Sequence, residues 1–166
     1  MRKTVYLLLG SNLGDREQHL RQAIEQLRVL GEVTAVSCVY ETEPQEMRGQ
    51  PWFLNVAVAL ATELMPKQLL ARMQRIEREA GRRRMQPKGP RTLDIDMLFF
   101  GQAVMDTPTL VIPHPALHER RFVLEPLGEI APDVRHPVFR RTVREMRDAI
   151  AHAPGQSSRR LGPLQQ

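Results

Sequence analysis

Gly89-Pro90-Arg91-Thr92-Leu93-Asp94-Ile95-Asp96-Met97-Leu98-Phe99-Phe100-Gly101 sets two carboxylates inside an otherwise apolar run. Gly-Pro enforces a turn, and the run after it has the composition of a buried strand. Strand side chains alternate, so Asp94 and Asp96 share one face while Leu93, Ile95 and Met97 share the other. Asp is disfavoured in strands. Two like charges held this close repel, and partial burial adds a desolvation cost, so a cation is expected between them. Oxygen-only ligands with no nearby cysteine favour magnesium over zinc. The plainer alternatives are an edge strand with two solvated acids, or a structural pair of Arg91 with an Asp.

Upstream of this strand lies a basic loop, Arg82-Arg83-Arg84-Met85-Gln86-Pro87-Lys88. Before it, Pro66 opens a helix in which Leu69, Leu70, Met73, Ile76, Glu77 and Ala80 form one stripe, and Gly81 ends it. Phe53 to Ala61 is a strand, with Phe53, Asn55, Ala57 and Ala59 on one face and Leu54, Val56, Val58 and Leu60 on the other. Glu32 to Tyr40 is another strand. The connection between them, Glu41 to Trp52, exceeds a hairpin turn and has the length of a binding loop or flap. Earlier still, Asp15 is a fair N-cap for a helix carrying Leu20, Ala23, Ile24, Leu27 and Leu30, with Gly31 as its stop. Thr4 to Leu9 is the first strand. Gly10-Ser11-Asn12-Leu13-Gly14-Asp15 lacks the Gly-Lys-Ser/Thr ending of a phosphate loop and reads as a helix lead-in.

The order strand, helix, strand, strand, helix, strand predicts an α+β, ferredoxin-like βαββαβ core: a mainly antiparallel sheet with helices packed on one face. Downstream, Val104 to Ile112 predicts a short hairpin, and Ile112-Pro113-His114-Pro115 an extended segment. Arg120 to Ile130 and Thr142 to His152 predict C-terminal helices. Residues 1–153 read as a single catalytic domain and 154–166 as a frayed, flexible tail.

Lys and Arg number 24 against 19 Asp and Glu, a net charge of +5 that suits an anionic partner. Cys38 is the only cysteine, which excludes an internal disulfide and a Cys-based zinc site and suits a reducing compartment. The basic N-terminus precedes an apolar run too short for a signal peptide. No segment is long enough to span a bilayer. A cytoplasmic, soluble protein with no membrane partner is therefore expected, and a monomer is the expected state.

Basic groups converge on the Asp strand: Arg82, Arg84 and Lys88 from the loop before it, Arg91 from the turn, and His114, Arg120 and Arg121 from the segment after it. Guanidinium groups grip phosphate oxygens bidentately, and a magnesium ion held by two Asp bridges such oxygens. Carboxylates beside arginines describe a nucleoside triphosphate site better than a nucleic-acid surface, which bare acids would repel. Arg83 reads as a solvated helix end. A zinc pair of His114 and His118 is disfavoured because Pro115 breaks a regular helix there; flanking prolines instead stiffen His114 for presentation to a phosphate.

The Gly89-Pro90-Arg91-Thr92-Leu93-Asp94-Ile95-Asp96 run closely resembles the signature of the 6-hydroxymethyl-7,8-dihydropterin pyrophosphokinases. The likeness extends through Leu9-Gly10-Ser11-Asn12-Leu13-Gly14, Tyr40-Glu41-Thr42, Phe53-Leu54-Asn55, Arg75-Ile76-Glu77 and Pro113-His114 to Arg120 and Phe122. It implies transfer of diphosphate from ATP to the pterin hydroxymethyl group, with release of AMP, in tetrahydrofolate biosynthesis. By that resemblance Asp94 and Asp96 would hold two magnesium ions, with Asp94 also near the pterin alcohol. Arg82, Arg91, His114 and Arg120 would bind the triphosphate, with Arg84 a mobile clamp; Arg82, Arg84 and Arg91 join the two Asp as catalytic residues. Leu70, Gln74, Glu77 and Met97 would face the nucleoside. The pterin would stack between Phe53 and Phe122, its polar edge read by Asn55 and the Thr42 backbone. Three positions depart from the pattern: Lys88 stands where the family often has an aromatic, Thr42-Glu43-Pro44 replaces Thr-Pro-Pro, and Pro115 stands where an aromatic can touch the nucleotide.

Three rivals remain at this point: a nucleic-acid module on the same fold, a different magnesium-dependent nucleotidyl or phosphoryl transferase, and a binding protein without catalysis. The first predicts aromatics on the central strands, where the two Asp stand instead.

Overall fold

The computed structural model describes residues 1–45, 49–81 and 90–164. Alternation along the strands gives the sheet two apolar faces, and each collects its own helices. Strands β1 (Lys3–Ser11), β4 (Phe53–Thr62) and β5 (Asp94–Phe100) form its centre and one edge. Pairing is antiparallel throughout, in the order β5-β1-β4-β3-β8, with β2 also on β4. Leu7 and Leu9 of β1 and Leu54, Val56, Val58 and Leu60 of β4 meet the buried stripes of α1 (Arg16–Leu27) and α2 (Pro66–Glu79). Those stripes, Leu20, Ala23, Ile24 and Leu27 on α1 and Leu69, Met73 and Ile76 on α2, follow the 3.6-residue period. Asp15 caps α1 by accepting from the Gln18 N–H at 3.2 Å, and Pro66 is the first residue of α2.

The opposite face is covered as well, so helices on one face describes only α1 and α2. Leu8, Ala57, Leu98 and Phe99 pack against α3 (Arg121–Ile130) and α4 (Val143–Ala149) through Val123, Leu124, Leu127, Val143 and Met146. This second cover stops short of one end of the sheet, where Gly10, Phe53, Asn55, Asp94 and Asp96 lie open to a cleft. A short hairpin, β6 (Met105–Asp106) with β7 (Val111–Ile112), leads into the His114 segment as expected.

Two expectations are corrected. Glu32 to Tyr40 is not one strand but two, β2 (Glu32–Val36) and β3 (Val39–Thr42). At the break, Ser37 keeps its ladder bond to the Ala57 carbonyl and its hydroxyl accepts from the Ala57 N–H, both at 2.9 Å. The Cys38 N–H turns instead to Glu129 of α3, which also accepts from the Tyr40 hydroxyl at 2.8 Å. The backbone donor lost to the ladder is thus repaid by a side chain. Residues 154–166 are not a free tail over their described length, because Ser158–Gly162 forms β8 on the exposed edge of β3. An open strand edge offers unpaired donors and acceptors, and a polar segment can satisfy them without an apolar signal.

Gly31 serves a different purpose from the helix stop expected of it, since α1 already ends at Arg28. A Cβ at Gly31 would stand 2.2 Å from the Ala61 carbonyl oxygen, a backbone atom held in the β4 ladder. Gly31→Ala is therefore expected to destabilise the protein by about 2–4 kcal/mol. Urea unfolding checks this; an unchanged midpoint would mean that the α1–β2 turn slides away from β4 at no cost.

Candidate active site

The strand register builds the cleft floor. On β1, Gly10 pairs with Asn55 of β4 on one side and with Asp94 of β5 on the other, and Leu8 pairs with Asp96. Gly10 therefore opens a notch between an amide and a carboxylate. A Cβ there would lie 2.7 Å from Asn55 Oδ1, so the notch exists only because the residue has no side chain. The sequence presents Gly10 as a strand terminator; its place in a three-strand register is what makes it part of the site.

Two further residues hold the floor. Asn12, buried just past β1, accepts from the Arg91 N–H at 2.8 Å, and its own N–H donates to the Arg91 carbonyl at 3.1 Å. Its side-chain NH2 donates to Gln50 Oε1 and to the Pro51 carbonyl, at 2.8 and 3.0 Å. One amide thus ties the Arg91 backbone to Gln50 and Pro51 ahead of β4, and no spacing rule singles it out beforehand. On the far side of β5, Glu77 of α2 accepts from the Ile95 N–H at 2.8 Å and satisfies a donor on the sheet edge.

Asp94 and Asp96 share the cleft face, as the alternation predicts. The structural pair anticipated for Arg91 is also present, Arg91 Nη1 lying 3.1 Å from Asp94 Oδ2. Asp96 is the strained member. Burial pushes its carboxyl up to about 7, with Asp94 and Glu77 adding to the rise and Arg120 and Arg91 opposing it. The arginines leave the local charge short of balance, and the donors on offer are carboxylate oxygens, which fits a hard divalent cation such as magnesium. Among the described residues no group of three or more His, Cys, Asp and Glu could hold a metal.

The walls suit a flat heterocycle. Phe53 at the start of β4 and Phe122 in the first turn of α3 both line the cleft. Asn55 is buried, lines the cleft and donates its amide N–H to the Thr42 hydroxyl. Arg120 lies 5.5 Å over the Phe122 ring, a cation–π contact that sets the guanidinium at the border of the aromatic and carboxylate regions.

Of the remaining expected residues, His114 lies outside the cleft lining, yet its electrostatics couple it to the site. Burial, then Arg120, lowers its pKa, while Asp94 works the other way. Nδ1 accepts from the Ala116 N–H at 3.2 Å, so the neutral ring carries its proton on Nε2. Leu70 and Gln74 stand on α2 and Met97 is buried in the core between β5 and the helices, all apart from the cleft lining. Arg82, Arg84 and Lys88 lie outside the described residues. At the Glu43 departure, a residue with a backbone donor replaces an imino acid: its N–H donates to the Ser157 carbonyl at 3.0 Å. Pro115 is exposed beside His114.

A ferredoxin-like sheet that brings two carboxylates, arginines and a ring-lined pocket to one end has the build of an ATP-dependent diphosphotransferase. A sequence profile of the 7,8-dihydro-6-hydroxymethylpterin-pyrophosphokinase family matches residues 6–132, and the chain belongs to that family. The 2-amino-4-hydroxy-6-hydroxymethyldihydropteridine pyrophosphokinase of Bacillus subtilis is 47% identical over 136 residues, 81% of each chain. The protein of the same name from Pseudomonas aeruginosa is 40% identical over 163 residues, 97% of this chain and 98% of that one. Other relatives are far longer: the chain spans 18% of the Pneumocystis carinii folic acid synthesis protein fol1, at 43% identity over 82% of its own length. Among solved structures, wild-type HPPK-DHPS of Plasmodium falciparum superposes with a TM-score of 0.72 over 90% of this chain and 44% of that one; at 16% identity, this speaks for the fold alone.

The Asp96 environment generates a pH prediction. A carboxyl whose folded pKa, about 7, lies above its ordinary value of 3.8 binds its proton more tightly in the folded chain. Its contribution is therefore fully present below about pH 4 and is lost as the pH rises to about 7, an effect on the order of a few kcal/mol. Thermal melts in EDTA between about pH 5 and about pH 8 are expected to fall more steeply for the wild type than for Asp96→Asn. Parallel slopes would place the Asp96 charge in ordinary solvent.

Proposed function

We propose that the chain moves the terminal diphosphate of ATP onto the hydroxymethyl oxygen of 6-hydroxymethyl-7,8-dihydropterin, releasing AMP, in tetrahydrofolate biosynthesis, and that the cleft between β1, β4, β5 and α3 is where this happens. The observation that carries the assignment to this cleft is the juxtaposition, across the Gly10 notch, of a heterocycle-reading amide with a carboxylate pair. A pterin slotted between Phe53 and Phe122 presents its polar edge to Asn55 and the Thr42 backbone. Its hydroxymethyl group then projects toward Asp94.

In this reading the alcohol oxygen attacks the β-phosphorus of ATP, the bond from that phosphorus to the α,β-bridging oxygen breaks, and AMP departs with the electron pair. Asp94 or solvent takes the alcohol proton. Such a displacement needs alignment and charge neutralisation more than a strong base. Arg91 and Arg120 supply fixed positive charge for the phosphate oxygens, and His114 offers a neutral Nε2–H donor. Two magnesium ions held by Asp94 and Asp96 would supply the remaining charge compensation. Arg82 and Arg84 complete the proposed phosphate grip, and Leu70, Gln74, Glu77 and Met97 the nucleoside side. No helix among the described residues is long and apolar enough to cross a membrane; a cytoplasmic monomer acting on these two small molecules is proposed, with no nucleic-acid partner.

The deciding assay incubates the protein with magnesium, ATP and the reduced pterin and quantifies AMP. AMP in step with pterin consumption is expected, whereas ADP would make the chain an ordinary kinase and free pyrophosphate a nucleotidyl transferase. Asp94→Ala and Asp96→Ala are each expected to lower turnover by at least about a thousandfold with the far-UV circular dichroism unchanged. Wild-type turnover in either variant would remove the carboxylates from the mechanism.

A further inference from the structure

We propose that the C-terminal segment Gly155–Ser158 is a strap joining the two walls of the pterin end of the cleft, and that Gln156 is a positioning residue for Arg120 and Phe122. The proposal rests on the diphosphotransfer reading of the cleft. It concerns residues beyond the 6–132 match to the family.

One wall is the end of β3 and the stretch after it, where Thr42, Glu43 and Gln45 line the cleft. The strap grips it in register: Thr42 pairs with Ser158, the Glu43 N–H donates to the Ser157 carbonyl at 3.0 Å, and the Ser157 N–H donates to Glu43 Oε1 at 3.2 Å. Gln45 Nε2 adds a bond to the Gly155 carbonyl at 3.0 Å. The other wall is the start of α3. There the Gln156 side chain accepts from the Arg121 N–H at 2.8 Å and donates to the Glu119 carbonyl at 3.1 Å. Arg121 Nη1 also donates to the Gln156 carbonyl at 3.1 Å.

The consequence follows from which residues are bracketed. A helix start leaves backbone N–H groups without intrahelical partners, and Arg120 offers no side-chain cap. Gln156 supplies that acceptor and ties down the carbonyl on the other side of Arg120. Both backbone neighbours of Arg120 are therefore fixed by one amide that itself lies outside the cleft lining. Phe122 follows in the first helical turn, under the Arg120 guanidinium. A proline at 43 would lack the N–H given to Ser157, so the Glu43 departure and the strap are parts of one arrangement.

Hydrogen exchange and substrate kinetics on the full chain test this together. In Gln156→Ala, amide protection is expected to fall in residues 119–123 and 41–45 but not in β1 or β4. The KM for the pterin is expected to rise about tenfold, with kcat within about threefold. Gln156→Glu keeps the acceptor for Arg121 and loses the donor to Glu119, and is expected to fall between the two. Arg159→Ala, which removes a cross-strand ion pair from β8 to Glu41 of β3, is expected to match the wild type in every readout. Protection at 119–123 unchanged in Gln156→Ala, or an equal KM rise in Arg159→Ala, overturns the proposal. If the wild type neither binds the pterin nor makes AMP, the diphosphotransfer reading falls, and the exchange pattern alone still decides whether the strap joins the walls.

Discussion

A carboxyl group pushed into a partly dry site beside two others is the constraint around which this end of the molecule is arranged. Asp96 has Asp94 on its own strand face and Glu77 behind the strand, and two arginines do not fully offset them. Left alone, such a group takes up a proton rather than staying charged. The fold tolerates the cost because β5 is anchored elsewhere: Ile95 and Met97 are sunk in the helix-facing core, and Leu98 and Phe99 in the other. The packing of the sheet offsets the local cost of holding that carboxyl out of water.

The same economy governs the floor. Gly10 and Asn12 lie at the end of β1, where neither contributes apolar area. Gly10 allows Asn55 and Asp94 to approach across the strand, and Asn12 locks the turn carrying Arg91 to the loop carrying Gln50 and Pro51. Buried amides of this kind are costly when partly satisfied and rigidifying when fully satisfied. Here the Asn12 side-chain oxygen accepts and its NH2 donates twice, so Arg91, Gln50 and Pro51 are tied to the end of the strand.

How much of this could be read in advance depended on whether the signal was local. Helices α1 and α2, strands β1, β4 and β5, and the shared face of Asp94 and Asp96 follow from periodicity and caps within one segment. The aromatic and amide wall came from alternation along β4 joined to a family resemblance. The Ser37–Cys38 break did not announce itself, because its compensation comes from Glu129, 91 residues away from Cys38. Gly31 looked like a helix stop for the same reason, since the carbonyl that demands a glycine belongs to β4. Residues 154–164 carry no hydrophobic period at all. Their place is dictated by the unpaired edge of β3, which is invisible until the sheet exists.

A physical reason connects these non-local features to the chemistry. α3 and α4 cover the second face of the sheet only in part, and the uncovered end is where a substrate can enter. That end cannot be held by core packing, since packing would fill it. It must be held at its rim by hydrogen bonds between segments far apart in sequence: Asn12 to Arg91, and Gln156 to Arg121 and Glu119. Such bonds contribute about 1 kcal/mol each to stability but fix geometry at the scale that in-line phosphoryl transfer requires. The polar residues that resist interpretation from sequence are therefore concentrated where precision matters more than stability.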